Sequence, residues 1–395
     1  MKRPAAHPNC LFLLTLPILA AACAPRQRSQ FLPCVQSPCS AQNQQIESIR
    51  VIQNEGARPH FAPSGEEFVF DRKNPDGYSD LYISDLNGNI LRALSEEKAD
   101  LPQRNNGNGV FDPSGQFVIF VSEAASHFAD QVKYLGDSGI GLFSNLWATD
   151  REGTRFWRLT DTPIKQNLSD SIPAYAVVNP GFSRDGKLLI WTKRYAEGDG
   201  RDWGARRIQG AEFIFEQGTP RIANPRTLFV PQEGNFVTFM GELPGGEWIL
   251  AGNLSGQHEF GMDQYRYDPQ TGALVNLQNT PLFWEEDASI SQGSRIVYMT
   301  NIDSAFRFDF GDVNWAAQPM ERDYYVMDAN GNLKERLTFF NEPSAPEYLG
   351  YPVLAVASDF SPDGRYLAGT IGVDFGRGAR RDVVLKIILI RLREP

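Results

Sequence analysis

From residue 46 onward the apolar residues come in short runs closed by turns, and the runs repeat. One phrase is an apolar residue, a Ser/Ala/Asp-Pro-Ser/Asp-Gly turn, and a second apolar run. It occurs as FAPSGEEFVF (Phe61–Phe70), FDPSGQFVIF (Phe111–Phe120), FSRDGKLLIW (Phe182–Trp191) and FSPDGRYLAG (Phe360–Gly369), with worn copies at LPGGEWILAG (Leu243–Gly252) and ISQGSRIVYM (Ile290–Met299). Proline presets the first turn position and glycine supplies the positive φ near its end, so each copy predicts a β-hairpin. A second phrase follows: a strand, an Asp-x-x-Gly turn, then Leu-Thr or Leu-Ser. Its copies are Leu81–Ser95, Leu146–Thr160 and Tyr324–Thr338, with a shorter one at Tyr265–Leu277. In the third unit only FIFE (Phe213–Glu216) and RTLFV (Arg226–Val230) stand out as strands.

Two hairpins make a unit of four antiparallel strands, which cannot bury both of its faces alone. Stacking six such units around an axis solves this, and the expected fold is all-β, a six-bladed β-propeller. The sixth unit runs out after one strand, Val383–Leu392, beyond its first hairpin. Ile46–Gln53 (IESIRVIQ) has strand character and no hairpin partner of its own. It is expected to complete the sixth blade and close the ring, which also removes two open sheet edges.

Composition narrows the function classes. The chain has 395 residues, and 38 Lys+Arg against 48 Asp+Glu give a formal net charge of −10. Such a body repels nucleic acid and anionic lipid surfaces. Only 4 His and 4 Cys are present, and every Cys falls before residue 40, so imidazole clusters and a disulfide-built body are both disfavoured.

The first residues read as an address. Lys2 and Arg3 precede an apolar run, Leu11 to Ala22, too short for a bilayer span of about 20 residues. The run ends Ala20-Ala21-Ala22 directly before Cys23. This resembles a bacterial lipoprotein signal, in which the Cys is lipidated and becomes the mature N-terminus; Ala24 after it implies the outer membrane. Residues 1–22 are thus expected to be signal peptide, 23–45 a flexible Gln/Pro/Ser-rich tether, and 46–395 the propeller. Cys34 and Cys39 lie in the tether, where they could pair locally, bridge to another chain or stay reduced.

The FSPDG turn followed by Asp-x-x-Gly and Leu-Thr resembles the repeat of the TolB-like family of periplasmic six-bladed propellers, over about residues 44–392. The resemblance implies the fold and a place in the envelope. It leaves the activity open, since propellers of this type also serve as non-catalytic domains in peptidases and as scaffolds of some lyases.

Spare length collects in the connectors opposite the Gly turns: Glu123–Ser144, Asp161–Val178, Arg194–Gly210, Asn301–Arg322 and Gly372–Arg381. Insertions on one face of a repeat protein mark its binding face. The aromatic and Arg content of these connectors points to a protein or peptide partner, with Tyr195, Trp203, Arg206, Phe306, Phe308, Phe310 and Trp315 as the contact residues.

Catalytic patterns are weak. Gly136-Asp137-Ser138-Gly139 matches the phrase around a serine-protease nucleophile, and His127 is near in sequence, but the fold is wrong for such an enzyme and the local residues read as a flexible loop. His60, His127 and His258 fall in three different blades, an unpromising metal set. Asp71, Asn74, Asp76 and Asp80 share one loop but lack the glycine and glutamate of an EF-hand. The expected protein is a non-catalytic propeller anchored by lipid on Cys23 at the periplasmic side of the outer membrane. A monomer is expected, without cofactor, metal or nucleic acid. The alternatives are a polysaccharide lyase or hydrolase working in the channel, and a structural assembly factor of the outer membrane.

Overall fold

A computed structural model describes residues 32, 34, 37–197, 204–232, 235–258, 261–304, 320–376 and 381–393. It is a six-bladed β-propeller. The first strand, β1 (Ile46–Gln53), is set aside for the end of the ring. Blade one is β2 (Ala57–Phe61), β3 (Glu67–Lys73), β4 (Ser79–Asp85) and β5 (Ile90–Ala93). Blade two is β6 (Asn106–Phe111), β7 (Phe117–Glu123), β8 (Ser144–Asp150) and β9 (Phe156–Arg158). Blade three is β10 (Ala176–Phe182), β11 (Leu188–Ala196), β12 (Ala205–Glu216) and β13 (Thr219–Phe229). Blade four is β14 (Val237–Glu242), β15 (Trp248–Gly252), β16 (Asp263–Tyr267) and β17 (Leu274–Asn276). Blade five is β18 (Ala288–Ile290), β19 (Ile296–Thr300), β20 (Asp323–Met327) and β21 (Glu335–Arg336). Blade six is β22 (Val353–Phe360), β23 (Tyr366–Asp374) and β24 (Val383–Leu392), with β1 as its outer strand.

Closure follows the expectation. β1 pairs antiparallel with β24, from Ile46 opposite Leu392 to Gln53 opposite Ile387. Of the expected tether 23–45, residues 32, 34 and 37–45 are described and are held against the ring; the others lie outside the described residues. Cys34 and Cys39 form a disulfide. Cys39 makes an antiparallel bridge to Ile49, the Cys34 carbonyl accepts from Val51 N, and Leu32 and Cys34 are buried. Gln42 N donates to the Glu347 carboxylate, and Asn43 Nδ2 donates to Glu335 at 2.9 Å. The backbone of Cys34 and Cys39 covers the edge of β1, and the polar residues after them tie the segment to Glu335 and Glu347.

The first phrase forms one turn six times. In each, the N–H of the fourth turn residue donates to the carbonyl of the first: Gly65 to Ala62, Gly115 to Asp112, Gly186 to Ser183, Gly246 to Leu243, Ser294 to Ser291 and Gly364 to Ser361. The donor has positive φ throughout, and in blade five the non-glycine Ser294 sits there at +64°.

The second phrase owes its Ser or Thr to a buried bond. Ser95, Thr160 and Thr338 each accept the first inward N–H of the blade's third strand, from Leu81, Leu146 and Tyr324, at 2.9, 2.9 and 3.0 Å. Each hydroxyl then donates to the residue before it, Asp80, Asn145 or Asp323, at 2.8, 2.9 and 2.9 Å. The core lies between blades. Val110, Ile119 and Leu146 pack on Val177, Leu189 and Trp191 of the next blade, and Phe68 and Phe70 pack on Ile387 and Leu389 across the closure. This apolar burial is the main driving force for the ring.

Blade three departs from the reading of its sequence. The span Arg194–Gly210, expected as a long connector, is mostly strand, since β11 runs to Ala196 and β12 starts at Ala205. Arg206 and Arg207 masked the strand pattern. No helix among the described residues is long and apolar enough to cross a membrane; the one helical element described there is the 3₁₀ turn Lys133–Gly136.

Candidate functional site

The innermost strands run from the long-connector face to the Gly-turn face. Three residues before the apolar residue that opens each first phrase stand Arg58, Asn108, Asn179, Met240, Asp287 and Ala357, one per blade. Four of these, Arg58, Asn108, Asn179 and Asp287, have positive φ, between +38° and +52°. Register shifts mark the same place in β2, β6 and β10. These bulges turn polar side chains toward the axis.

Hydrogen bonds then cross every blade junction. Asn108 N donates to Asp71 Oδ2 (2.8 Å), Asn108 Nδ2 to Asn179 Oδ1 (2.8 Å) and Asn179 Nδ2 to Thr238 Oγ1 (2.7 Å). Ala288 N meets Met240 Sδ (3.1 Å), Ser289 and Ser358 share a bond (3.1 Å), and Arg58 N donates to Thr370 Oγ1 (2.8 Å).

The connector of blade two lies over this belt at the long-connector mouth. Asp137 pairs with Arg58 (3.2 Å) and Lys73 (3.8 Å). Ser138 is fully buried, its hydroxyl accepting from Arg58 Nη2 (3.0 Å) and its carbonyl from Asn108 Nδ2 (3.3 Å). Gly107 permits this approach; a Cβ there would stand 2.3 Å from Ser138 Oγ and 2.6 Å from Asp71 Oδ2. The Gly-Asp-Ser-Gly phrase is therefore a plug. His127 gives it no base: its Nδ1 accepts from Ala129 N (3.2 Å), and its Nε2 donates to buried Glu123 (2.7 Å).

Beside the plug lies a charged group, buried at Asp71 and Arg322 and half-buried at Arg58, Glu286 and Asp287. Arg58 makes a two-toothed pair with Asp71 (2.8 and 2.9 Å). Arg322 stacks on Trp284 at 3.8 Å, and Trp284 Nε1 donates to Glu286 (3.0 Å). Burial pushes the Asp287 carboxyl up to about 7, with neighbouring Glu286 adding to the rise and Arg322 and Arg58 opposing it. Burial likewise lowers Arg322 to about 10 and raises Glu286. Among the described residues the Asp287 carboxylate accepts no hydrogen bond. No group of three His, Cys, Asp or Glu side chains there is placed to hold a metal ion.

The expected contact residues divide. Arg206 is only 2% exposed, with its guanidinium over Phe236 at 4.9 Å; burial and nearby Arg194 lower it to about 9. It lies in the interior over Phe236, ahead of blade four, not on an outer surface. Tyr195 is half-buried in β11 under the Arg207 guanidinium, 4.9 Å from its ring. Trp203, Phe306, Phe308, Phe310 and Trp315 lie outside the described residues. Next to the base of the blade-five connector is a cavity of about 190 Å³, lined by Asp303, Ser304, Glu321, Arg322, Asn341 and Glu342 among others. The loop Asp71–Asp80 holds no ion-like cage: Asn74 Nδ2 donates to Asp80 (3.0 Å), whose other oxygen takes Ser95.

No family model matches the chain, and no curated protein matches it. Solved structures do. TolB from Acinetobacter baumannii is 14% identical with a TM-score of 0.47, over 82% of this chain and 63% of that one. A protein assigned as TolB from Agrobacterium tumefaciens is 15% identical with a TM-score of 0.46, over 87% and 91%. An oligogalacturonate lyase in complex with manganese is 14% identical with a TM-score of 0.47, over 90% and 97%. The chain thus spans 63% of the length of the Acinetobacter protein.

Proposed function

We propose that this chain is a non-catalytic envelope lipoprotein that binds a protein or peptide partner on its long-connector face, held to the periplasmic side of the outer membrane through Cys23. The observation that carries the reading is a ring fixed by a belt of bonds across all six blade junctions, with the cavity at Asp303 and Glu342 beside the base of the blade-five connector. A rigid scaffold presenting variable loops loses little entropy on binding. The experiment is cross-linking in membranes followed by pull-down, comparing the intact protein with a variant whose residues 305–319 are replaced by a short turn. Equal recovery of every partner ends the proposal. For the anchor, Cys23→Ser should move the protein to the soluble fraction, and continued membrane retention refutes it.

One observation favours a second reading, a polysaccharide lyase or hydrolase acting in the channel. Asp287 combines a raised carboxyl pKa with flanking arginines, a combination also found in general acids. Release of new sugar ends from an acidic polysaccharide, abolished in Asp287→Asn, would establish it; no release from a panel of acidic and neutral polymers removes it.

A further inference from the structure

The opposite mouth of the channel is built differently. It opens into a cavity of about 290 Å³ among the Gly turns. The repeat itself makes the walls: Phe61, Phe111, Phe182 and Phe360 are the apolar residues that open the first phrase in four blades, and Pro63, Pro113 and Pro362 are the prolines of its turns. Against this apolar wall stand His60 and Asp359. The Asp359 carboxylate accepts from Phe61 N (2.8 Å), and His60 Nε2 is 3.9 Å away. No Lys or Arg pairs with Asp359 among the described residues, and His60 Nδ1 is buried there without a partner. An aromatic cup whose carboxylate faces only a histidine, with no Lys or Arg, fits a cation carried on an apolar stem.

The cup continues outward along blade three. β11 ends its pairing where Leu188 faces Glu212 and Phe213 N donates to the Lys187 carbonyl (2.9 Å), so Ile214–Glu216 pair only with Thr219–Arg221 and the hairpin tip projects past the face. At strand rise the projection is roughly 10 Å. Phe182 of the cup meets Phe213 at 5.2 Å, Phe213 meets Phe215 at 5.2 Å, and Phe215 meets Phe117 of blade two at 5.1 Å. Phe215 and Ile214 are 48% and 39% exposed, large apolar surface that no element of this chain covers among the described residues. Large apolar side chains exposed at the end of a continuous ridge mark a docking surface.

We infer that the Gly-turn face is a second binding site, for an extended peptide segment that seats an Arg or Lys side chain in the cup beside Asp359 and lays apolar residues along Phe213 and Phe215. Charge complementarity selects this occupant, since two carboxylates, Asp359 and Asp112, line the cup and no Lys or Arg does, Arg184 reaching only its rim, where it donates to Gln292. Asp112 is already engaged by Ser114 and Phe117 N, which leaves Asp359 for the ligand. The cup is open, so it suits a side chain delivered on a chain better than an enclosed small molecule. The site is separate from the long-connector face and does not depend on the role proposed there.

The test is fluorescence anisotropy of the full chain with three labelled probes: Gly-Arg-Pro-Leu-Phe-Gly amide, the same peptide with norleucine for arginine, and N-acetylarginine amide. The arginine peptide should bind about tenfold more tightly than either of the others. Asp359→Asn keeps an acceptor for Phe61 N and should weaken it about tenfold; Phe215→Ser, at an exposed site, should weaken it several-fold. Equal affinity for the arginine and norleucine peptides, equal affinity for N-acetylarginine amide, or no saturable binding of the arginine peptide up to about 5 mM overturns the proposal. Unchanged binding by both folded variants does so too.

Discussion

Thr338→Val tests whether the hydroxyl of the second phrase holds its blade together. The substitution keeps the shape of the side chain and removes two bonds: the one Thr338 Oγ1 accepts from Tyr324 N (3.0 Å) and the one it donates to Asp323 Oδ1 (2.9 Å). Thr338 and Tyr324 are fully buried, so water cannot substitute. An unsatisfied buried N–H costs about 1–3 kcal/mol, and a lost bond to a charged acceptor about 1.5–3 kcal/mol. Asp323 keeps Phe340 N, Arg336 and Asn341 as donors, so its carboxylate is not orphaned and the second cost sits at the low end. The expected loss is about 3 kcal/mol. Urea unfolding with linear extrapolation measures it, at unchanged m. Thr338→Ser, which keeps the hydroxyl, should stay within about 1 kcal/mol of the parent. In a double-mutant cycle, Asp323→Asn and Thr338→Val should be non-additive. A Thr338→Val protein within about 0.5 kcal/mol of the parent, or a Ser variant as damaged as the Val variant, would refute the reasoning.

Gly107→Ala places a methyl against Ser138 Oγ and Asp71 Oδ2, so the plug must shift; a loss of about 1–3 kcal/mol is expected, and an unchanged melting temperature contradicts the close approach. Glu285 accepts from Thr280 and Thr300, and burial pushes its carboxyl up to about 7 from an ordinary 4.5. Between those values the native state holds a proton that the unfolded chain has released, so stability contributed by this group falls as pH rises and levels off above about 7. Glu285→Gln should therefore lose less, or gain, relative to the parent at pH 8 compared with pH 5 in paired urea titrations; an identical difference at both pH values excludes the buried carboxyl. Ser294→Gly relieves a φ of +64° in the blade-five turn and should raise stability by about 0.5–1 kcal/mol, whereas a lower melting temperature would show the serine is not strained. Deleting Ile46–Gln53 removes the buried side chains of Ile46, Ile49, Val51 and Ile52 and exposes β24, so the melting temperature should drop far more than on deleting residues 24–31; equal effects would deny β1 its closing role.

The blade count, the turn positions and the closing strand were legible because they are local facts repeated along the chain. Phe61, Phe111, Phe182 and Phe360 each precede a turn whose chemistry is complete within five residues, and IESIRVIQ stood out as a strand with no neighbour to pair with. The candidate site was only partly legible. Arg206 looked like a surface contact because an arginine between loop residues usually is one; β12 carries it into the interior, over Phe236. The residues around Cys34 and Cys39 looked free because their bonds to Glu335 and Glu347 join positions far apart in sequence and those to β1 leave no period.

By itself, then, the order of residues determined the repeating unit, its number and the way the ring is latched, since hairpins and alternating strands depend on neighbours along the chain. Which side chains meet on the axis was decided by the ring. Arg58, Asn108, Asn179 and Asp287 lie one or two blades apart in sequence, and only circular packing brings them to one belt, where burial shifts the Asp287 carboxyl and the plug pairs with Arg58. Proximity of that kind is set by closure, and no local pattern encodes it.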